Sequence, residues 1–177
     1  MQPPASLQVS TPNDLEIVMT RTFNAPRTLV WDAMTKPEML KRWMFTPPQW
    51  SWAECEMDVR VGGEFRWAWN GPDGQLALLI CGVYKELDAL FRIVHTERME
   101  MGPGAGTCGP ENAECAEEPW ELLATLELNE QGGKTEMRMT LSFGSKAARD
   151  GALASGMEHG MEAGYAALDA FLAEEGR

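Results

Sequence analysis

The fold of this chain is decided by residues 135–174, which read TEMRMTLSFGSKAARDGALASGMEHGMEAGYAALDAFLAE. Over residues 137–143, apolar side chains stand at every second position, the spacing of one face of a β-strand. From there the apolar spacing changes to steps of three and four, as between Met157 and Met161, which is typical of an amphipathic helix. The pattern predicts a last strand followed by one long helix over residues 146–174.

The chain before this stretch combines short apolar strands with turn signals. Two short helices are predicted after the first strand, since Pro26 and Pro37 suit first helical turns. Gly62-Gly63 and Pro72-Asp73-Gly74 mark tight turns between strands. An unbroken run of strands implies an antiparallel sheet with the last helix against one face, hence an α+β fold. The predicted strands are residues 15–23, 50–59, 64–69, 76–84, 90–96, 121–128 and 135–143.

Length and composition indicate one globular domain. The chain has 177 residues, with 44% hydrophobic and 24% charged side chains, which suits a single core without cross-links. The polar, Pro-containing residues 1–13 are expected to form a flexible arm. Residues 14–177 are expected to form the domain, with a loop insert at 99–119, where Gly, Pro, Glu and Cys replace any periodicity.

Net charge and hydropathy limit the classes of partner and the cellular location that we expect for this chain. The net charge of -12 repels phosphate backbones and anionic headgroups, so we expect neither nucleic-acid nor membrane partners. No apolar run reaches the roughly 18 residues of a spanning helix, and the N-terminus lacks the pattern of a signal peptide. We therefore expect a cytoplasmic protein, and formation of a homodimer stays open.

Cysteine and glycine patterns give no metal or cofactor site. Cys108 and Cys115 are separated by six residues, which is not the spacing of a zinc knuckle. Free thiols, a reversible disulfide and a metal site stay open for this pair, and a reducing cytosol favours free thiols. Gly62-Gly63 precedes a strand instead of a helix and does not match a phosphate-binding loop. We predict no cofactor and no metal.

Several short segments, taken together and in their order along the chain, indicate a resemblance to a known family. Over residues 15–173 they resemble the START-like (SRPBCC) superfamily, most closely its subfamily similar to the C-terminal domain of the heat-shock-protein-90 ATPase activator. This resemblance implies the helix-grip fold, in which a curved antiparallel sheet of about six to seven strands wraps around a long C-terminal helix and encloses an apolar cavity. The segments are RTFNAP (21–26), VWDA (30–33), TKPE (35–38) with Leu40 and Trp43, DVRVGGEF (58–65), GVYKE (82–86), Thr96-Glu97, and residues 156–157 and 160–168.

The implied cavity would be lined by Met and aromatic side chains. The chain has 12 Met and 7 Trp; thioethers adapt to varied apolar shapes, and Trp offers a flat face with one donor. We predict that the cavity binds a small hydrophobic or aromatic molecule without covalent chemistry, although simple core packing stays open for each side chain. The candidate ligand-binding residues are Phe65, Trp67, Trp69, His95, Met137, Met139, Phe143, Met157, Met161 and Tyr165.

One alternative is an enzyme resembling the superfamily's polyketide cyclases or hydratases. It would use His95, or an inward Glu, with Tyr84 or Tyr165 as partner. No nucleophile–base pair follows from spacing, so no catalytic residue is assigned. We interpret His95 as a structural residue whose hydrogen bonds are satisfied and His159 as solvent-facing.

A second alternative is a co-chaperone-like interaction module. It predicts an exposed apolar patch, for which Trp43, Phe45 and Trp50 are the candidates.

Acidic side chains mark the other face of one predicted strand. Glu54, Glu56 and Asp58 alternate along residues 50–59 and share that face. We expect them to meet water or an Arg of the neighbouring strand, as cross-strand charge pairs commonly do.

Overall fold

The computed structural model describes residues 6–44, 46–102 and 122–176. Within these residues, two strands are followed by two helices, six strands and two helices, which is the predicted α+β class with one more strand and one more helix than predicted. The elements are β1 (Gln8–Ser10), β2 (Glu16–Phe23), α1 (Arg27–Thr35), α2 (Pro37–Trp43), β3 (Ser51–Met57), β4 (Glu64–Asn70), β5 (Leu76–Asp88), β6 (Arg92–Met101), β7 (Leu122–Gln131), β8 (Lys134–Ser142), α3 (Lys146–Ala154) and α4 (Met157–Glu175).

The strands of the described part of the chain form one antiparallel sheet of eight, in the order β1-β2-β8-β7-β6-β5-β4-β3. This is more than the six to seven predicted, and the additional strand is β1. The sequence predicts a flexible arm over residues 1–13, but Val9 pairs with Met19 at the edge of β2. An edge strand offers free backbone groups to any neighbouring segment. Three residues are too few to show a period of two, so the sequence does not reveal this strand.

The predicted single C-terminal helix is two helices. Gly156 has φ 74°, a left-handed conformation, and separates α3 from α4. The side chain of Ser145 accepts a hydrogen bond from the Ala148 amide and begins α3. Apolar spacing cannot reveal the break because both helices bury residues against the same sheet, whereas a left-handed glycine ends the hydrogen-bond ladder of the first helix.

The predicted loop insert at 99–119 begins later than expected. Strand β6 continues through Met101, and Leu78 of β5 pairs with Met101. Residues 103–119 of the insert, including Cys108 and Cys115, lie outside the described residues. The Gly and Glu content that interrupts the apolar pattern does not prevent Met99 and Met101 from keeping strand geometry.

The core lies between the sheet and α4, and we call the sheet face toward α4 the inner face. Phe23, Phe65 and Met137 of the sheet form one buried cluster with Tyr165 and Leu168 of α4. A second cluster, with Ile17, Met19, Ala124 and Leu141, packs against Leu153 of α3 and Met157 and Met161 of α4. The two helices therefore cover the inner face of β2, β7 and β8, which we call the covered half, and α4 also packs against Phe65 of β4.

Arg21 is a charged residue inside the covered half. Its Nη1 donates to Glu162 Oε1 at 2.8 Å and its Nη2 to Asp169 Oδ2 at 2.6 Å. Burial opposes the charge of Arg21, but the hydrogen bonds to Asp169 and Glu162 outweigh it and raise its pKa. Glu162 also accepts the Leu7 amide at 2.7 Å. A single ion-pair network thus joins the N-terminal segment and β2 to α4.

Candidate functional site

Two apolar rows cross the inner face of β3 to β6, and together we call them the aromatic surface. Cross-strand register gives one row as Cys55, Trp67, Ile80 and Met99, and the other as Trp52, Trp69, Leu78 and Met101. A bulge between Trp52 and Glu54 brings Trp52 to the same side as Cys55. Cys55 belongs to the core cluster beneath α4, with Trp52, Trp67 and Ile80 packed against that cluster, which places both rows on the inner face.

The exposed fraction of the side chains is greatest at the β6 end of this surface. Trp69 is buried, Trp67 and Ile80 are half-buried, and the rows end at Met99 and Met101, which are 48% and 70% exposed. Contiguous apolar surface open to solvent is a mark of interaction or ligand sites. Among the described residues, the inner face is therefore covered by helices over β2, β7 and β8 and exposed at the β6 end of the aromatic surface.

Phe65 lies at the centre of a ring cluster at the buried end. Its ring centroid lies 4.6 Å from that of Trp67, 5.5 Å from that of Tyr84 and 5.1 Å from that of His95, which stands edge-on to it. Gly82 makes this possible, since a Cβ there would lie 2.8 Å from the Phe65 ring and 1.7 Å from the Thr96 carbonyl oxygen. Glycine at this position is required by the close approach of neighbouring strands.

Three buried polar atoms of this region have no hydrogen-bond partner among the described residues: Trp52 Nε1, Trp67 Nε1 and His95 Nδ1. By contrast, Trp69 Nε1 donates to Thr46 Oγ1 at 3.3 Å. An unsatisfied buried polar group costs about 1–3 kcal/mol. Such groups are uncommon in folded proteins and call for a specific explanation.

His95 is paired through its other ring nitrogen. Its Nε2 lies 3.4 Å from Glu97 Oε2, and the side chains of His95 and Glu97 are 9% and 21% exposed. Burial and then the charge of Glu97 raise the pKa of Tyr165 on α4. Burial also raises the pKa of Tyr84. The sequence-based interpretation of His95 as a satisfied residue finds support at Nε2, while Nδ1 has no partner among the described residues.

The predicted ligand-binding residues do not lie together. Phe65, Trp67, Trp69 and His95 lie on or beside the aromatic surface. The others belong to the covered half or the helices above it: Met137 and Tyr165 in the first core cluster, Met139 and Met161 against both clusters, and Phe143 and Met157 against the second.

Sequence reasoning missed Trp52, Met99, Met101 and Glu97 as residues of this region. In β6, the alternation of Ile93, His95 and Glu97 already indicates which residues share a face. The assumed insert at 99–119 kept us from extending that alternation to Met99 and Met101. The sequence does not indicate that Trp52 lies on the inner face, because the β-bulge after it shifts the alternation of side chains along β3 by one residue.

An open cleft of about 410 Å³ lies at the β3–β4 hairpin and shares Phe65 with the predicted set. Most of its lining is charged or glycine, so it differs from the apolar cavity that the sequence predicts. The lining residues are Glu56, Met57, Asp58, Arg60, Gly62, Gly63, Glu64, Phe65 and Arg66.

Other predicted features can be placed on the structure. Glu54 pairs at 3.0 Å with Arg66 of the neighbouring strand, as the sequence predicts for the acidic face of β3. His159 is exposed, as predicted. Trp43 of the predicted interaction patch is buried and donates to the Ala33 carbonyl at 2.9 Å, while Phe45 lies outside the described residues. Trp43 therefore belongs to the core.

Within the described ranges, no group of His, Cys, Asp and Glu is arranged to hold a metal ion. Cys55 and Cys81 are free thiols, and burial raises the pKa of each.

No helix among the described residues is both long and apolar enough to cross a membrane.

Comparison with known proteins gives a family and a fold. A family model described as "Activator of Hsp90 ATPase homolog 1-like protein" matches residues 24–173, in agreement with the resemblance seen in the sequence. The crystal structure of a Rhodobacter sphaeroides protein is similar at 28% identity, covering 96% of this chain and 99% of that one, with a TM-score of 0.81. No curated protein matches at a significant level.

Two solution structures show the same architecture. A Staphylococcus epidermidis protein is 25% identical over 95% of this chain and 94% of its own, with a TM-score of 0.75. A protein from Arthrobacter aurescens is 23% identical over 94% of this chain and 91% of its own, with a TM-score of 0.74. These likenesses establish the fold.

Proposed function

This chain belongs to the family described as Activator of Hsp90 ATPase homolog 1-like protein, and on that premise we propose that it binds a small hydrophobic or aromatic molecule. The ligand lies between the sheet and α4, against the aromatic surface, and is held without covalent chemistry. The flat faces of Trp67 and Trp52 and the flexible thioethers of Met99 and Met101 suit a planar apolar ligand.

The observation that carries this proposal is the set of unpartnered polar atoms at the aromatic surface. Small-molecule sites combine an apolar lining with a few polar groups that orient the ligand. Trp52 Nε1, Trp67 Nε1 and His95 Nδ1 are such groups, since each is buried and lacks a partner among the described residues. A ligand that supplies the partners removes the energetic cost of leaving them unsatisfied.

Native mass spectrometry of the purified protein tests the proposal directly. We expect a reproducible mass excess over the denatured chain, lost on denaturation, from a captured ligand. Titration with the neutral probe N-phenyl-1-naphthylamine gives a second readout, because its fluorescence rises in apolar sites.

Two variants locate the site. Trp67→Glu, and Ile80→Glu on the same row of the aromatic surface, should each weaken probe binding by about tenfold or more, because each places a charge where it is poorly solvated. Leu123→Glu is the matched control, since Leu123 is an exposed apolar residue on the opposite face of β7. Full affinity in both folded variants would contradict the proposal.

A second candidate function, an acid–base enzyme of the cyclase or hydratase type, is favoured by the His95–Glu97 pair. A general base must lie within hydrogen-bond reach of its substrate, and His95 Nδ1 is buried at the inner face with no partner among the described residues. Incubating the captured molecule with fresh protein distinguishes the two functions. Conversion that disappears in His95→Phe supports the enzyme, and unchanged recovery supports binding alone.

The remaining expectations stay predictions. They are a cytoplasmic location, no partnership with nucleic acid or membranes, and formation of a homodimer as an open alternative. A co-chaperone-like role, the third candidate, loses Trp43 as a surface residue because that side chain is buried.

A further inference from the structure

We infer that the molecule bound at the aromatic surface is uncharged and carries both a hydrogen-bond donor, received by His95 Nδ1, and an acceptor, bound by the indole N–H of Trp67. This inference rests on the proposed binding function and specifies the chemistry of its ligand. A hydroxylated or N–H-bearing aromatic compound with a carbonyl or ether oxygen has the required groups.

The first step is the tautomer of His95. Its Nε2 lies 3.4 Å from Glu97 Oε2, and an ionised carboxylate can only accept hydrogen bonds. In a neutral ring, this pairing places the proton on Nε2 and leaves a lone pair on Nδ1. The side chain of His95 is 9% exposed, and Nδ1 has no partner among the described residues. Nδ1 thus acts as a buried acceptor that needs a donor.

The second step is that Trp67 offers a hydrogen-bond donor, whereas His95 Nδ1 offers an acceptor. An indole nitrogen can only donate, and Trp67 Nε1 is buried without a partner within the described ranges. Trp67 and His95 flank the same Phe65 ring, with centroid distances of 4.6 and 5.1 Å. Because both side chains contact one ring, a single ligand bound beside Phe65 would meet the donor of Trp67 and the acceptor of His95.

The third step is the charge of the ligand. Glu97 is the acidic partner of His95, and its side chain is 21% exposed. A carboxylate ligand would present lone pairs to the lone pair of His95 and a negative charge close to Glu97, and both contacts are repulsive. This excludes fatty-acid anions as the preferred class and favours a neutral hydroxyl or N–H group.

Calorimetric titration at pH 8, above the range in which histidines usually protonate, tests the donor requirement with two probes. 2-Naphthol and 2-methoxynaphthalene share a ring system, but only 2-naphthol can donate. We expect wild-type protein to bind 2-naphthol about tenfold more tightly, the worth of one buried hydrogen bond. His95→Phe should abolish the preference, while His159→Ala, which alters the exposed histidine, should keep it.

A second pair of probes tests the acceptor requirement. 2-Acetylnaphthalene offers a carbonyl oxygen, and 2-ethylnaphthalene has a similar shape without it. Wild-type protein should prefer the ketone by about threefold to tenfold. Trp67→Phe keeps an aromatic ring but removes the N–H, so this preference should vanish while the 2-naphthol preference remains.

The outcomes separate this inference from the proposed function. If wild-type protein binds each pair of probes without preference, the assigned polarity is wrong while the binding function stands. If none of the four naphthalenes binds, both fail. The wild-type comparisons need no variant, so they decide the assigned polarity even if His95→Phe folds poorly.

Discussion

The covered half and the aromatic surface are two regions of one sheet face, and they differ in whether their buried polar groups have hydrogen-bond partners. In the covered half, Arg21 is almost fully buried and bonds to carboxylates on two turns of α4. On the aromatic surface, His95 Nδ1 and the indole nitrogens of Trp52 and Trp67 are buried without partners among the described residues. The apolar residues differ too, since Met137 is fully buried whereas Met99 is half exposed.

This difference indicates that the covered half contributes mainly to the stability of the fold and the aromatic surface mainly to ligand binding. Complete burial and paired charges contribute to the free energy of unfolding. Unpaired polar atoms beside exposed apolar groups lower it, unless a ligand binds. We therefore expect substitutions in the covered half to act on stability and substitutions on the aromatic surface to act on ligand affinity.

The largest expected effect comes from a matched pair of methionines. Met137→Ala should lower the free energy of unfolding by about 3 kcal/mol, because it opens a cavity in a closed core. Met99→Ala should cost less than about 0.5 kcal/mol, since Met99 already meets water. Urea denaturation of both variants measures the difference. Equal losses would mean that the two halves are equally packed.

A smaller effect is expected for the buried ion-pair network. Arg21→Met should cost about 2–3 kcal/mol, below the usual loss for a broken buried pair, because Glu162 and Asp169 remain 43% and 27% exposed. Arg138→Met is the control, since Arg138 is half exposed and lies 3.9 Å from Glu127. Its expected cost is within about 0.5 kcal/mol. A similar cost in both variants would show that Arg21 does not tie α4 to the sheet.

The smallest effect is a pH dependence. The hydrogen bond from Arg21 lowers the pKa of Glu162 below 4.5, so its contribution to stability is present above pH 4.5 and is lost as the pH falls through the lowered pKa. Because Glu162 is 43% exposed, the contribution is about 0.5–1 kcal/mol after solvent screening. Glu162→Gln should remove it at pH 7.

Thermal unfolding from pH 7 to pH 3 measures this effect. The difference between wild type and Glu162→Gln should shrink below pH 4.5, while Glu136→Gln, an exposed change on β8, should follow the wild type. A constant difference across the range would assign the effect to packing and not to the charge of Glu162.

Strand parity predicted much of the architecture because side chains of a strand alternate between two faces. It placed Phe65, Trp67 and Trp69 together and Met137, Met139 and Leu141 together. Strand and helix periodicity gave wrong predictions where the backbone geometry of a few residues interrupts the regular spacing. Gly156 ends α3, and the bulge after Trp52 reverses the parity of β3. Such local backbone geometry leaves little trace in apolar spacing.

By itself, the sequence determined the α+β class, the order of the elements from β2 to β8 and the apolar face of most strands, since these follow from local periodicity. Only the tertiary structure decided which part of that face the helices cover and which polar atoms gain partners. Arg21 and Asp169 are 148 residues apart, whereas His95 and Glu97 are neighbours on one strand. Periodicity assigns a side chain to a face, but long-range packing decides what that side chain meets there.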